Sequence, residues 1–391
     1  SVEPWHLPAP EPLLSAHLHS TSPTWVPAGL SLSPILPPVR QQGVVYLRWQ
    51  LTAVVRDRLW QVLDHALQPL RERAARAGVT LQFDTSGAFW QLRCAGVPQA
   101  AVWVTEEALS LLRNPPPESW ALPSSHKPDA MPIRALLRQL PEELVGRYQG
   151  PLPACTLAQT DLGASWEHAR WQALATGFDE QSQHALNRVL QRVPGHPGDH
   201  QPVAPKAVRR WQMLPPLASE QALLLFCPLP NGDEACARLL AQHLQGPFYQ
   251  RLRVELQLGY AVFSAFRQLE GCNGLLFGVQ SPSASHAQII AHIQAFLAEL
   301  PTTLVCDPDA RQALAEQMSE TAMSNDDVAQ WAWQAQLDNQ HGANLDNLQD
   351  AILAVDDHQL RQCAEHLLHA KHGWLCLANG RAPENSGWTA I

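Results

Sequence analysis

Phe248-Tyr249-Gln250-Arg251-Leu252-Arg253-Val254-Glu255-Leu256-Gln257-Leu258-Gly259-Tyr260 is the stretch whose reading decides the fold. Leu240, Leu244, Phe248, Leu252 and Leu256 recur every fourth residue, which predicts a helix with one apolar face. Gly259 suits the left-handed position that ends a helix. Tyr260-Ala261-Val262-Phe263 then reads as strand from its β-branched and aromatic content. Arg253 and Tyr260 therefore fall where a rigid helix end meets a sheet. Such a junction can aim a guanidinium and a phenol at one point, as stabilisation of an oxyanion requires. The same residues also suit an ordinary amphipathic helix with a glycine cap and an arginine ion-paired on its surface.

Working outward, strand 222–228 precedes a long helix over 233–258, expected to be interrupted at Gly246-Pro247. Tyr260 to Ser264 and Leu275 to Gln280 form a hairpin pair, and a helix over 285–300 follows, entered through Ser283 or Ser285. The same order occurs earlier. Val45, Leu47, Trp49 and Leu51 alternate as a strand, residues 53–77 show helical spacing, Val79 to Cys94 make a hairpin around Asp84-Thr85-Ser86-Gly87, and 99–113 is helical. Strand, helix, hairpin, helix thus recurs at an offset of about 180 residues, which predicts two similar α/β domains. Between them lie a helix over 133–145, a strand over 171–178 and a helix entered through Asp179. Helices over 307–323, 326–338, 344–356 and 357–369 and a strand over 374–378 close the chain. The expected domains are 41–195 and 217–391, with a proline-rich extended segment at 1–40 and a polar linker at 196–216.

The chain has 391 residues, 46% hydrophobic, enough for two cores. Its net charge of -9 is dispersed, which argues against a nucleic-acid or membrane-surface partner. No run approaches the roughly 18 apolar residues of a membrane helix, and Ser1 to Pro12 has no apolar core of a signal peptide. Eight cysteines show no C-x-x-C spacing and several sit in apolar strands, so reduced buried thiols and a cytoplasmic location are expected, with the periplasm as the alternative.

Leu252-Arg253 through Gln257-Leu258-Gly259-Tyr260 resembles the R-x6-Y element in the C-terminal half of pitrilysin/insulinase metallopeptidases, with Leu256 where that family usually has a carboxylate. Gly274-Leu275-Leu276-Phe277-Gly278-Val279-Gln280-Ser281 resembles the family's G-x-x-F-x-x-Q-S strand. Trp5-His6-Leu7-Pro8-Ala9-Pro10-Glu11-Pro12 resembles the segment that crosses between its halves, and Thr176-Gly177-Phe178-Asp179 its strand exit before the last helix of a domain. Usage of Trp, Gln, His and Pro is similar to the branch of the family that serves pyrroloquinoline quinone biosynthesis. The resemblance implies an α+β fold of two similar domains, the third and fourth of a full peptidase. Each would be a mostly antiparallel sheet with helices packed on one face. It further implies a chamber closed against an N-terminal half that binds zinc, and a short peptide substrate, namely the precursor peptide of that pathway. Arg253 and Tyr260 are the catalytic candidates, and Arg253, Gln257 and Tyr260 the substrate-binding ones.

Zinc peptidases of this family carry H-x-x-E-H, in which two histidines on one helical face hold the metal and the glutamate deprotonates water. None of the 17 histidines gives that pattern, so no metal site is expected in this chain, and the chain by itself is expected to be inactive. His366, His369 and His372 are the nearest self-contained metal candidate, but Lys371 adds a like charge and the helix C-terminus explains histidines there. Asp326-Asp327 and Asp356-Asp357 read as helix N-caps. A non-catalytic scaffold sharing the fold is the alternative function.

Overall fold

The computed structural model describes residues 24–25, 30–32, 42–52, 56–121, 131–146, 157–215, 219–340 and 343–391. In chain order the strands are β1 (Thr24–Trp25), β2 (Leu30–Leu32), β3 (Gly43–Gln50), β4 (Thr80–Ser86), β5 (Phe89–Gly96), β6 (Arg170–Thr176), β7 (His196–Pro197), β8 (Arg209–Met213), β9 (Gln221–Leu229), β10 (Ala261–Leu269), β11 (Cys272–Ser281), β12 (Trp374–Ala378) and β13 (Thr389–Ala390). The helices are α1 (Arg56–Arg76), α2 (Pro98–Arg113), α3 (Pro132–Val145), α4 (Gln159–His168), α5 (Glu180–Leu190), α6 (Glu234–Tyr249), α7 (His286–Thr303), α8 (Pro308–Gln317), α9 (Asn325–Leu337), α10 (Leu345–Leu353) and α11 (Asp357–Leu368). Apart from β1 and β2, the expected 1–40 segment lies outside the described residues, as does the quoted Trp5–Pro12 match.

The chain forms two compact units, and neither is one continuous stretch. The first comprises Ser1–His126, Val145–Pro202 and Glu320–Asn344; the second comprises Lys127–Leu144, Val203–Ser319 and Leu345–Ile391. The structure thus differs from the contiguous bounds at 41–195 and 217–391. Helix α3 belongs with the later strands and helix α9 with the earlier ones.

In the first unit the sheet runs β1-β2-β6-β3-β5-β4, with β7 alongside β6. Val45, Leu47 and Trp49 of β3, Trp90 and Leu92 of β5, and Trp171 and Ala173 of β6 turn to one face and pack on the apolar stripes of α1 and α2. Trp49 and Trp90 are fully buried, and burying a large aromatic contributes about 4–6 kcal/mol gross before ordering entropy is charged. Trp49 Nε1 donates to the carbonyl of Pro194 at 2.9 Å, whereas the buried Trp90 Nε1 has no partner among the described residues. The opposite face carries α9. Trp333 stacks on Tyr46 at 5.1 Å and 11° and donates to Gln91 Oε1 at 3.0 Å. Gln336 donates to the carbonyl of Ala173 at 3.1 Å, and Arg93 pairs with Asp326. Ser324, not an aspartate, caps α9 by accepting from the Asp327 N–H. Asp326 and Asp327 occupy its first turn, where the macrodipole favours carboxylates. Asp356 does cap α11, as expected.

In the second unit the sheet runs β10-β11-β9-β12-β8-β13. All pairings are antiparallel except β8 with β12 and β8 with β13. Strand β8 falls in the expected linker 196–216; its single buried residue, Trp211, left too little periodicity to mark it. One sheet face receives Ile133, Leu136, Leu140 and Leu144 of α3 on Ala222, Leu224, Phe226 and Leu276. On the other, Phe248 of α6 packs against Phe277 of β11 and Phe296 of α7 at 5.2 and 5.3 Å. Each sheet thus has its main helical layer on one face and a single helix on the other, drawn from the other half of the sequence. No single helix among the described residues is long and apolar enough to cross a membrane.

Candidate functional site

Helix α6 is not interrupted at Gly246-Pro247; it continues through Pro247 to Tyr249 and widens into a π-turn over Gln250–Glu255. The Leu256 N–H reaches back five residues to the Arg251 carbonyl at 3.0 Å, which adds one residue to the turn. That insertion breaks the every-fourth-residue phase. Leu244, Phe248 and Leu252 are buried, Leu256 is exposed, and Leu258 takes the next inward position. The Leu258 N–H closes on the Leu252 carbonyl at 3.1 Å, a Schellman-like ending one residue wider than usual.

Gln257, not Gly259, holds the left-handed position, with φ 49°. Gly259 serves a different need: a Cβ there would collide with the Gln280 carbonyl oxygen of β11. Strand β10 begins one residue later than expected, at Ala261, opposite Gln280. Tyr260 is therefore the last residue of the turn and is 54% exposed. Tyr249, Val254 and Leu256 are also exposed along this stretch.

The three site residues expected from the sequence stand differently. Arg253 is half-buried in the last turn and makes no hydrogen bond or ion pair with any described residue, whereas its neighbour Arg251 pairs with Glu299 at 2.8 Å and Glu255 at 3.4 Å. The surface ion pair that the sequence allowed thus falls to Arg251. Gln257 is exposed in the turn. Tyr260 is brought together with two residues that sequence reasoning did not assign to the site. Its O–H donates to Glu220 Oε2 at 3.1 Å, and its oxygen accepts from Gln280 Nε2 at 2.9 Å. Partial desolvation, then the hydrogen bond and charge of Glu220, push the phenol above its ordinary value. Gln280 Nε2 also contacts Glu220 Oε2, and Gln280 Oε1 accepts from the Ile133 N–H at 3.1 Å. No hydrogen bond joins Arg253, Gln257 and Tyr260 to one another among the described residues. The signal for Gln280 was present in the sequence, a lone amide at the end of an apolar strand, because a buried amide requires partners. Glu220 sits before β9 beside undescribed residues and carried no pattern.

His366 and His372 lie with ring centroids 5.8 Å apart, but the Lys371 ammonium sits 3.2 Å from His366 Nε2. Burial, then His366 and Lys371, push the His372 imidazole below its ordinary value. A cation on the ligand nitrogen does not fit a zinc site, and no group of three or more His, Cys, Asp or Glu converges among the described residues. The first unit holds a cavity of about 570 Å³ between α2 and α5, bordered by Trp103, Glu106 and Arg192.

A model of the PQQ synthase PqqF C-terminal lobe domain 3 matches residues 42–175, and one of the PQQ synthase PqqF-like C-terminal lobe domain 4 matches 239–333. The chain is 47% identical over 382 residues to coenzyme PQQ synthesis protein F of Pseudomonas putida, covering 98% of the chain and 49% of that protein. It is 38% identical to the protein of the same name from Pseudomonas syringae pv. tomato, covering 96% of the chain and 46% of that protein. The chain thus spans about half the length of these curated relatives. Among solved structures it is similar to pitrilysin, with TM-score 0.62, 18% identity, 95% of this chain and 45% of that chain. It is also similar to a peptidase M16 inactive domain from Pseudomonas fluorescens, with TM-score 0.61, 14% identity, 92% of this chain and 98% of that chain. At these identities the structural likeness shows the fold.

Proposed function

The chain belongs to the PqqF family, matching its C-terminal lobe, and from that premise we propose that it is the half of a peptide-cleaving zinc enzyme that binds no zinc. Its partner is a zinc-bearing N-terminal half, against which it closes a chamber for a short peptide, the precursor of pyrroloquinoline quinone. Zinc, held by that other half, supplies the activation of water. This chain's residues act on the peptide. Tyr260 donates its O–H to the carbonyl oxygen as negative charge develops there, Arg253 adds a cation beside it, and the turn at Gln257 contacts the peptide backbone. The compartment is the cytoplasm, which the seven described free cysteines favour.

The observation that carries the reading is the state of Tyr260. A phenol that is exposed yet held by two hydrogen bonds, on the same stretch as an arginine that makes no hydrogen bond or ion pair with any described residue, is arranged to meet something outside the fold. Exposed Tyr249, Val254 and Leu256 supply apolar surface along the same stretch. The test uses the complete enzyme of both halves. Tyr260→Phe and Arg253→Ala should each lower kcat by about 10²-fold and raise KM far less. A change confined to KM would indicate ground-state binding and reject the oxyanion role. This chain by itself should bind no stoichiometric zinc and cleave nothing; one tight zinc per isolated chain overturns the division of labour.

A further inference from the structure

Gln280 is 2% exposed and closes an apolar run on β11. An amide buried there without partners would cost about 1–3 kcal/mol, and every polar group of this one is met. Its Oε1 accepts from the Ile133 N–H, one of the donors at the start of α3 that have no intrahelical acceptor. A backbone N–H only donates, so this contact fixes which way the amide faces. Nε2 is left pointing at Tyr260 and Glu220, and its two hydrogens reach the phenol oxygen and Glu220 Oε2. With its oxygen already accepting from Gln280, the phenol directs its O–H away, onto Glu220. Glu220 is anchored in turn. Asn379 Nδ2 donates to its backbone carbonyl at 3.0 Å, and Asn379 Oδ1 accepts from the Ala222 N–H at 2.9 Å. His286 Nε2 lies 2.7 Å from the same Oδ1, so the imidazole carries its proton on Nε2.

We propose that Gln280 and Glu220 are positioning residues that hold the Tyr260 phenol as a re-aimable donor for the carbonyl oxygen of a bound peptide. The proposal deepens the peptidase reading above and rests on it for the ligand. In the free chain the O–H is parked on Glu220. When a carbonyl oxygen arrives, the O–H turns to it while Gln280 keeps its hold on the phenol oxygen. Glu220 is not stranded by the change, because the second N–H of Gln280 stays on its Oε2. The carboxylate also disfavours phenolate, so the group offered to the peptide is a neutral donor. The arrangement separates two tasks: Gln280 sets where the phenol oxygen stands, and Glu220 sets where its hydrogen waits.

The first arm of the test needs only this chain. Tyrosine labelled with carbon-13 at Cζ gives one NMR signal for each of the four tyrosines, and Tyr260→Phe assigns the signal of interest. In the wild-type chain that signal should titrate above the ordinary value of about 10, and Glu220→Gln should return it toward that value. A Tyr260 that titrates normally, or ignores Glu220→Gln, overturns the clamp whatever the enzyme does. The second arm uses the complete enzyme. Gln280→Met, with folding verified by its thermal transition, should lower kcat about 10-fold and leave KM within about twofold. An effect on KM with kcat preserved overturns the positioning role. If Gln280→Met fails to fold, Glu220→Ala in the complete enzyme decides by the same split of kcat against KM. Failure of the underlying reading looks different: Tyr260→Phe would leave kcat unchanged while the titration arm still came out as stated.

Discussion

The side-chain amide of Gln280 donates to the phenol oxygen of Tyr260 across 2.9 Å, and Gly259 is what allows the two to meet. Between Gly259 and Gln280 there is backbone on both sides, so neither can give way to an added methyl.

Gly259→Ala should therefore cost about 1–3 kcal/mol of stability and shift the Tyr260 turn off β11. Chemical denaturation of this chain checks the first effect. A fall of kcat in the complete enzyme, matching that of Tyr260→Phe, checks the second.

Gln257 carries a left-handed backbone that glycine would adopt without penalty. Gln257→Gly should raise stability by about 0.5–1 kcal/mol, read from the denaturation midpoint. If its side chain also touches the peptide, the same variant should raise KM, so the two measurements separate a turn role from a binding role.

Arg251 and Arg253 are two residues apart and should behave oppositely. Arg251→Ala removes an exposed ion pair with Glu299 and should leave the thermal midpoint within about 2 °C and kcat unchanged. Arg253→Ala should be equally silent in stability and lower kcat. Equal kinetic effects of the two would mean that charge alone, without position, is being measured.

His200 gives the first unit an acid sensitivity. It is 4% exposed; its Nε2 donates to the Arg170 carbonyl at 2.9 Å, and its Nδ1 accepts from Gln172 Nε2 at 3.1 Å. Gln336 donates to Gln172 Oε1, which fixes that amide and leaves no acceptor for a second imidazole proton. Burial lowers the imidazole to about 4. Between about 4 and the ordinary 6.5 the unfolded chain binds the extra proton, so stability is full above the upper value and falls as pH drops through the window. The loss should approach about 3 kcal/mol near pH 4, and His200→Asn should flatten that part of the stability profile.

Trp333→Ala should cost about 3–5 kcal/mol, because it removes the stack on Tyr46 and leaves Gln91 without its indole donor. Urea denaturation followed by fluorescence measures it.

Much of this was legible from local pattern. The hairpins around Asp84–Gly87 and Gly271 follow from turn chemistry and alternation, and of the two expected caps, Ser283 and Ser285, it is Ser285 that caps α7, in a capping box with Gln288. The R-x6-Y stretch marked the right turn, but its interior was misread. A π-turn leaves no sequence period, so Leu256 was expected inward and Gly259 as the helix stop. Gly259 answers to a strand twenty residues away, and close approach between distant backbones has no local signature. The partners of Tyr260 come from Glu220 and from β11, and the anchor of Gln280 from Ile133. Only tertiary packing joins these four positions. The same limit hid the placement of α3 and α9, whose apolar faces announced burial without saying on which sheet.

Helix α9 covers β3 and β6, yet it follows β6 by some 150 residues in the chain. At about 5–20 residues per second, a ribosome needs roughly eight to thirty seconds to deliver it after the last of those strands has emerged. During that interval Tyr46 and its neighbours on β6 stand bare to water, and a nascent chain in that condition is the form a chaperone would meet.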